Sequence, residues 1–147
     1  MASLSLGLTI VQLCRAHRAA AGEELAALGL HPGQEAILMQ LWRSDGLSQK
    51  QLAQALRLQP PTVTKMLQRL EASGIVERRE STTDGRSVNA FLTQRGRDLE
   101  PQVQAVWQEL DRRTALNLTA QELQVLEVTL AKVIANLRPS EDAEAVC

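Results

Sequence analysis

The sequence predicts a mainly α-helical chain with one small β-hairpin, and three features of its pattern lead to that fold class. Residues 48–73 hold two short helical patterns separated only by Arg57 and Leu58. Two short strand patterns, residues 75–79 and 88–92, enclose a polar loop that contains glycine. Both ends of the chain carry apolar residues at helical spacing. A helix-turn-helix followed by a hairpin is a winged helix-turn-helix, here flanked by N- and C-terminal helices.

The N-terminal part predicts two helices and a turn. The first helix runs from about residue 4 to residue 28, where a glycine- and proline-containing stretch breaks it. His31 is expected to start the second helix, which covers roughly 33–43. Ser44, Asp45 and Gly46 then form a turn.

The helix-turn-helix is predicted from its capping residues. Ser48 can cap the first helix, and Gln51 stands at the return position of a capping box. Pro60 opens the second helix at a position where a missing N–H costs little. Ser73 and Gly74 are a natural stop for that helix.

The C-terminal part predicts two further helices. One long helix runs from about residue 94 to residue 117, and Pro101 near its beginning can kink it or shift its start. Thr119 caps the last helix, with Glu122 at the capping-box position. The tail, residues 139–147, is expected to fray.

Apolar residues of the last helix are spaced by three and four positions, as in helices that pack on other helices. An ordinary amphipathic helix that faces its own core shows the same spacing. A chain of this length has little core of its own for both terminal helices to cover. We therefore expect a homodimer, with residues 1–30 and 97–138 forming a dimerisation lobe and residues 33–93 a winged DNA-binding lobe. The spaced residues are Leu123, Leu126, Leu130, Val133 and Leu137.

Length and composition bound the class of protein. The 147 residues suit one subunit, and 44% of them are apolar, enough for a core. No apolar run approaches the roughly 20 residues of a membrane span, and the beginning of the sequence lacks a signal-peptide pattern. The two cysteines lie near opposite ends and make no disulfide framework. These features predict a cytoplasmic protein without a membrane partner.

Charge is distributed unevenly along the chain. The net charge is −1, but residues 48–97 contain nine Lys/Arg and four Asp/Glu, a local charge of +5. The remainder carries −6. Such a charge pattern is also typical of an ordinary solvated face. Because the basic segment coincides with the helix-turn-helix, we expect the positive potential to lie where DNA would bind.

The winged segment resembles the MarR family of bacterial transcription regulators. The most specific pieces are PTVTKMLQRLEASGIVERR, the wing sequence DGRS at 84–87, and LTQRG at 92–96. Arg57 departs from the family, which often has glycine in that turn. The resemblance implies a homodimer that binds a pseudo-palindromic operator in double-stranded DNA. Many members are repressors released by small, often aromatic acids bound between the dimer core and the winged lobe.

The candidate DNA contacts lie on the second helix of the helix-turn-helix, which Pro60 opens, and on the wing. Val63, Leu67 and Leu70 form an inward stripe, which leaves the other side chains to read base edges or bind phosphates. In the wing, Gly85 permits a tight turn, and Arg86 is suited to a narrow minor groove. Asp84 and Arg86 match the family's wing motif. The predicted contacts are Gln59, Pro61, Thr62, Thr64, Lys65, Gln68, Arg69, Arg79, Asp84, Arg86 and Ser87.

The candidate effector site is less specific. Arg15, His17 and Trp42 could line a ligand cleft, although a tryptophan is more often part of a core. Cys14 leaves open a redox-sensing repressor, since one branch of the family senses organic peroxides with a cysteine in this helix. That branch uses tyrosines beside its cysteine, and this chain has no Tyr. A small buried hydrophobe is the other reading of Cys14.

The sequence gives little support for other classes of function. The phosphate loop, the nucleophile elbow and paired-histidine metal motifs are absent, so no enzyme, metal site or cofactor is predicted. A winged-helix protein-interaction module that does not bind DNA remains an alternative, because a fold alone does not determine a function.

Overall fold

The structure, a computed structural model, describes residues 5–83 and 85–138. Asp84 and the predicted frayed tail, residues 139–147, lie outside the described residues. The described elements confirm the predicted fold class, a mainly helical chain with a small antiparallel sheet. They are α1 (Leu6–Ala27), α2 (Gln34–Arg43), β1 (Leu47–Ser48), α3 (Gln49–Leu56), α4 (Pro60–Ala72), β2 (Val76–Glu80), β3 (Val88–Leu92), α5 (Gln94–Asp98), α6 (Glu100–Thr114) and α7 (Ala120–Leu137).

The chain divides into two compact units, Met1–Leu110 and Asp111–Cys147. The first unit contains the helix-turn-helix, the sheet and α1, and the second contains α7. The lobe boundaries expected from the sequence, 33–93 for DNA binding and 1–30 with 97–138 for dimerisation, concern a dimer and stay a prediction.

The core of the first unit joins α1, the helix-turn-helix and the sheet. The inner faces of α2, α3 and α4 bury large aliphatic side chains, and α1 adds Ala21 and Leu25. The residues exposed by 2% or less are Leu25, Leu30, Ile37, Leu38, Leu41, Leu52, Val63, Leu67, Leu70, Ile75, Val76, Ala90 and Val103. Because α4 contributes three of these, its orientation is set by the same core that holds the sheet.

The sheet has the order β1-β3-β2, and both pairings are antiparallel. In its register Val76 lies opposite Leu92, and Arg78 lies opposite Ala90. Strand β1 was not predicted, because two residues are too few to show an alternating pattern. It pairs Leu47 with Ala90 and so ties the start of the helix-turn-helix to the wing.

Both predicted capping boxes are confirmed. The Gln51 N–H donates to Ser48 Oγ at 3.1 Å, and the Ser48 N–H donates to Gln51 Oε1 at 2.8 Å. At α7 the corresponding distances between Thr119 and Glu122 are 3.2 and 2.8 Å. The hydrogen bond from the Thr119 N–H lowers the pKa of the Glu122 carboxyl, because it stabilises the charged form.

Two helix predictions need correction. The single helix over 94–117 is wrong, since α5 ends at Asp98 and α6 begins at Glu100. Pro101 explains the break, because it has no N–H to donate and fits only in the first turn of a helix. The expectation that Pro101 could shift the start of the helix is the part that holds. His31 precedes α2 rather than starting it, and its N–H donates to Gln34 Oε1 at 2.8 Å.

Within the described residues, no helix is long and apolar enough to cross a membrane.

Candidate nucleic-acid interface

Helix α4 is anchored on one side and open on the other. Val63, Leu67 and Leu70 are fully buried, which confirms the predicted inward stripe. The predicted contact residues that are exposed on α4 and its N-cap are Gln59, Pro61, Thr62, Lys65, Gln68 and Arg69. The helix therefore presents a polar, cationic face that needs no rearrangement of the core to reach a ligand.

Thr64 lies differently from the prediction that places it on an outer face. Its side chain is half-buried, and its hydroxyl lies 3.0 Å from the carbonyl oxygen of Pro60 and 3.2 Å from Gln49 Oε1. A single hydroxyl hydrogen directed at these acceptors braces α4 against the start of α3. Thr64 is thus better placed to hold the two helices together than to read a base.

Ion pairs occupy both of the carboxylates that could have neutralised Arg69. Glu71 Oε2 accepts from Arg78 Nη2 at 2.7 Å and from Arg78 Nε at 2.8 Å. Glu77 pairs with Arg79 at 3.0 Å. The pKa values of both carboxyls are lowered, chiefly by the hydrogen bonds from these arginines. Glu71 and Glu77 therefore pair with Arg78 and Arg79 rather than with Arg69.

Arg79 is partly engaged within the wing itself. Its guanidinium carbon lies 4.5 Å from the centroid of the Phe91 ring, and its Nη2 donates to Glu77. Glu77 and Phe91 are paired across the two strands. The Glu77 hydrogen bond raises the pKa of the Arg79 guanidinium. Arg79 remains more than half exposed, so a DNA phosphate could share it with Glu77.

The wing loop leaves Arg86 exposed and Ser87 half-buried. The Ser87 carbonyl accepts from the Ser81 N–H at 2.8 Å, which closes the loop just beyond the strands. Asp84, the other predicted wing residue, lies outside the described residues. Arg86 and Lys50 line one cavity of about 580 Å³ between α3, the start of α4 and β3. The two cations therefore face the same concave surface.

The turn before β1 supports the base of the wing, a role that the sequence alone did not reveal. Asp45 Oδ1 accepts from the Leu92 N–H at 2.9 Å and from the Gly46 N–H at 3.0 Å. Gly46 has a φ of 77°, and a Cβ there would lie 2.7 Å from Phe91. The Asp-Gly pair is a recognisable turn signal, but its partner 47 residues further along is visible only in the fold.

The effector candidates are only partly brought together. His17 stacks on Trp107 with ring centroids 6.0 Å apart, and Trp42 and Trp107 line a cavity of about 180 Å³. Trp107 Nε1 is buried with no hydrogen-bond partner among the described residues. Arg15 is exposed on α1 and does not line this cavity. Trp107 was not among the residues predicted for an effector site, although an aromatic beside a cleft is a common ligand surface.

Cys14 is exposed on α1. Burial within its own subunit, the simpler explanation that the sequence allows, is therefore wrong for this residue. Its neighbours on the helix, including Leu13 at 47% and Val11 at 46%, are also exposed. Among the described residues, no group of three or more His, Cys, Asp or Glu side chains converges as a metal site.

Comparison of sequences finds relatives among transcriptional regulators. The profile of the MarR family matches residues 30–88. An HTH-type transcriptional repressor from Mycobacterium tuberculosis is 36% identical over 109 residues, which cover 74% of this chain and 78% of the repressor. The HTH-type transcriptional regulator TtmR from Methylorubrum extorquens is 38% identical over 82 residues, 56% of this chain and 42% of TtmR. This chain thus matches less than half the length of TtmR.

Comparison of structures finds the same fold. A MarR transcriptional regulator from Methanosarcina mazei has a TM-score of 0.78 at 27% identity, covering 89% of this chain and 94% of that one. The apo form of MarR from E. coli has a TM-score of 0.76 at 30% identity, covering 90% and 98%. A MarR family regulator from Listeria monocytogenes complexed with 26mer DNA has a TM-score of 0.75 at 22% identity, covering 91% and 89%. At that identity the last likeness concerns the fold alone.

Proposed function

The chain belongs to the MarR family of transcriptional regulators, and we propose that it is a homodimeric repressor that binds a pseudo-palindromic operator in double-stranded DNA in the cytoplasm. The observation that carries the proposal is helix α4, whose apolar side is fully buried while its polar side is open. A recognition helix must present side chains to base edges without moving on its own core, and α4 meets that requirement.

The charge of the winged segment supports DNA as the partner. Lys65 and Arg69 are exposed on α4, and Arg86 is exposed on the wing. Glu71 and Glu77 are committed to Arg78 and Arg79, so they do not cancel the cations of α4. A protein-interaction module built on the same fold would not need this cationic surface. The exposed cations can each release a counterion when they bind a phosphate, which makes binding dependent on salt.

Dimerisation is supported by the exposed apolar surface of the terminal helices. Helix α7 is 18 residues long and 11 of them are apolar, yet none of its residues is fully buried within the described subunit. On α7 the side chains of Val125, Val128, Ile134 and Leu137 are exposed by 59%, 52%, 52% and 73%. On α1 the exposed apolar residues are Leu6, Leu8, Val11 and Leu13. Exposed apolar surface of this kind on a helix is typical of an interface, and a second copy of the chain would cover it.

Release by a small aromatic acid is part of the same proposal. The cavity beside Trp42 and Trp107 offers two indole rings, and Trp107 Nε1 has no hydrogen-bond partner among the described residues. His17 is stacked on the Trp107 ring. Aromatic walls with one donor suit a flat acid. A redox-sensing repressor is the second candidate, because Cys14 is exposed rather than buried.

Selection from random-sequence DNA tests the proposal directly. Wild-type protein should enrich an inverted repeat whose half-sites lie about one helical turn apart, roughly 10 base pairs from centre to centre. Footprinting should then show protection of both half-sites. Failure to enrich any sequence, at a salt concentration where the protein is dimeric, would leave the protein-interaction module as the better reading.

Arg86→Ala tests the contribution of the wing to DNA binding separately from that of the rest of the basic surface. The salt dependence of operator binding should become shallower, by a slope of roughly 0.9 for each phosphate that the variant no longer neutralises. Arg138→Ala removes the same charge from the end of α7, outside the basic segment, and serves as the matched control. Equal slopes for Arg86→Ala and the wild type would remove the wing from the proposed interface.

A further inference from the structure

The chain that leaves the recognition helix is held by hydrogen bonds from the beginning of α5. Helix α4 ends at the cap residue Ser73, and the Ser73 carbonyl oxygen accepts a hydrogen bond from Arg95 Nη1 at 2.8 Å. The hydroxyl of Thr93 lies 2.6 Å from the carbonyl oxygen of Gly74 and 3.0 Å from that of Ile75. The Thr93 N–H also donates to the Ile75 carbonyl, at 3.1 Å. Three successive carbonyls are thus bound by two residues.

This contact is close as well as polar. A Cβ at Gly96 would collide with the carbonyl oxygen of Ile75, so the backbone of α5 packs directly on the chain between α4 and β2. The Gly96 N–H donates to Thr93 Oγ1 at 3.2 Å, which fixes the hydroxyl from the other side. Any shift of α5 would therefore be transmitted to the end of α4.

Helix α2 holds α5 in turn. Trp42 Nε1 donates to the carbonyl oxygen of Gly96 at 3.0 Å. The indole is half-buried against the core, so the donor has a defined position. The hydrogen bonds of Trp42, Thr93 and Arg95 form one connected path from α2 through α5 to the exit of α4, which we call the α4 clamp.

We infer that the α4 clamp positions the recognition helix for sequence-specific binding, so that Trp42, Thr93 and Arg95 are positioning residues that need not touch DNA. The inference rests on the proposed function. Base-edge hydrogen bonds require side chains placed within about 0.5 Å of the productive geometry, whereas contacts to the uniform phosphate backbone tolerate small tilts. Loosening the clamp should therefore weaken specific binding more than non-specific binding.

Two arginines on α5 provide a matched test. Arg95 Nη1 donates to Ser73 at the end of α4, while Arg97 Nη1 donates to Leu92 at the end of β3, at 2.8 and 2.9 Å. Both are exposed, so each alanine variant removes one charge and one hydrogen bond to a backbone carbonyl. Arg97→Ala also removes a longer hydrogen bond, 3.4 Å, from Arg97 Nη2 to Gln94 Oε1. Fluorescence anisotropy should show that Arg95→Ala lowers the ratio of affinities for the selected operator and a scrambled duplex by about tenfold. Arg97→Ala should leave that ratio unchanged.

Thr93 tests the clamp without any change of charge. Thr93→Val removes the hydroxyl at nearly constant volume and should lower the same ratio, whereas Thr93→Ser keeps the hydroxyl and should restore it. Thr119→Val removes the equivalent cap from α7, where the hydroxyl contacts Glu122, and should leave the ratio unchanged in protein verified as dimeric by light scattering. Trp42→Phe, which keeps an aromatic ring but loses the donor, should resemble Thr93→Val.

Amide hydrogen exchange separates the possible failures. Thr93→Val should speed exchange at residues 73–75 if the clamp holds this segment. Faster exchange with an unchanged affinity ratio would overturn the positioning role and leave DNA binding intact. A wild-type protein without sequence preference would instead overturn the proposed function, and the inference with it. If Thr93→Val does not fold, Arg95→Ala against Arg97→Ala decides, because both side chains lie at the surface.

Discussion

Replacing Arg57 with glycine should stabilise the protein, because Arg57 occupies a backbone conformation that favours glycine. It caps α3 with φ 52° and ψ 42°, in the left-handed region. The sharp reversal into α4 imposes this conformation, since it brings the Leu58 N–H to within 3.0 Å of the Ala53 carbonyl oxygen, to which it donates. A Cβ at this position is therefore under strain.

The size of the effect follows from two opposing contributions. Adopting the left-handed conformation costs a residue with a Cβ roughly 1–2 kcal/mol. Glycine avoids that cost but loses about 0.5–1 kcal/mol more in conformational entropy on folding than alanine does. Arg57→Gly should therefore raise the free energy of unfolding by roughly 0.5–1 kcal/mol. For a chain of this size the gain corresponds to a rise of about 2 °C in Tm.

Arg57→Ala is the matched control, because it removes the same side-chain charge and keeps the Cβ. Differential scanning calorimetry at one protein concentration should rank glycine above both arginine and alanine. The fixed concentration matters because the stability of a dimer depends on it. A glycine variant that melts at or below the alanine variant would refute the reasoning, since it would show that the left-handed turn carries no strain.

Three further predictions concern assembly, pH and sensing. Val128→Glu with Ile134→Glu places charges on side chains that are 52% exposed in the subunit, so light scattering should show a folded monomer; a dimer that persists would contradict the proposed interface. The pKa of Glu71 is lowered by Arg78, so its stabilising effect is complete above the unfolded pKa near 4.5 and is lost as the pH falls toward the folded pKa; Glu71→Gln should flatten this acid limb in urea unfolding followed by circular dichroism, and an unchanged limb would argue against the ion pair in solution. If a small ligand is the effector, peroxide should not change operator binding of either the wild type or Cys14→Ser. Release of the wild type alone from the operator would establish the redox route.

Local signals in the sequence were enough to locate the winged segment. The capping boxes at Ser48 and Thr119, Pro60 at the start of α4 and the Ser73–Gly74 stop all have a short-range cause, and each is found where it was expected. Turn and cap residues interact with positions only a few residues away, so their effect can be predicted from the sequence alone. The apolar stripe of α4 was equally readable, because helical spacing alone decides which side chains face inward.

Long-range partners account for what was missed. Strand β1, the hydrogen bond from the Leu92 N–H to Asp45 and the hydrogen bond between Thr64 and Gln49 all depend on segments that are distant in the chain. The break between α5 and α6 was an exception, because Pro101 is a local signal for it. The sequence indicated that Pro101 can kink the helix or shift its start, but one helix over 94–117 was still predicted. The contact residues proposed for DNA were predicted as a surface, and whether each reads a base stays a prediction.

The amino-acid sequence by itself determined the winged helix-turn-helix with its flanking helices, the buried side of α4 and the family, because these follow from periodicity, caps and motif. Only the tertiary structure decided which carboxylates pair with Arg78 and Arg79 and that Cys14 is exposed. It also decided that Thr93 and Arg95, at the start of α5, donate hydrogen bonds to the carbonyls at the end of α4. Those facts depend on which side chains meet across the fold. Such meetings are set by the simultaneous packing of many elements around one core, and no local stretch of sequence contains that information.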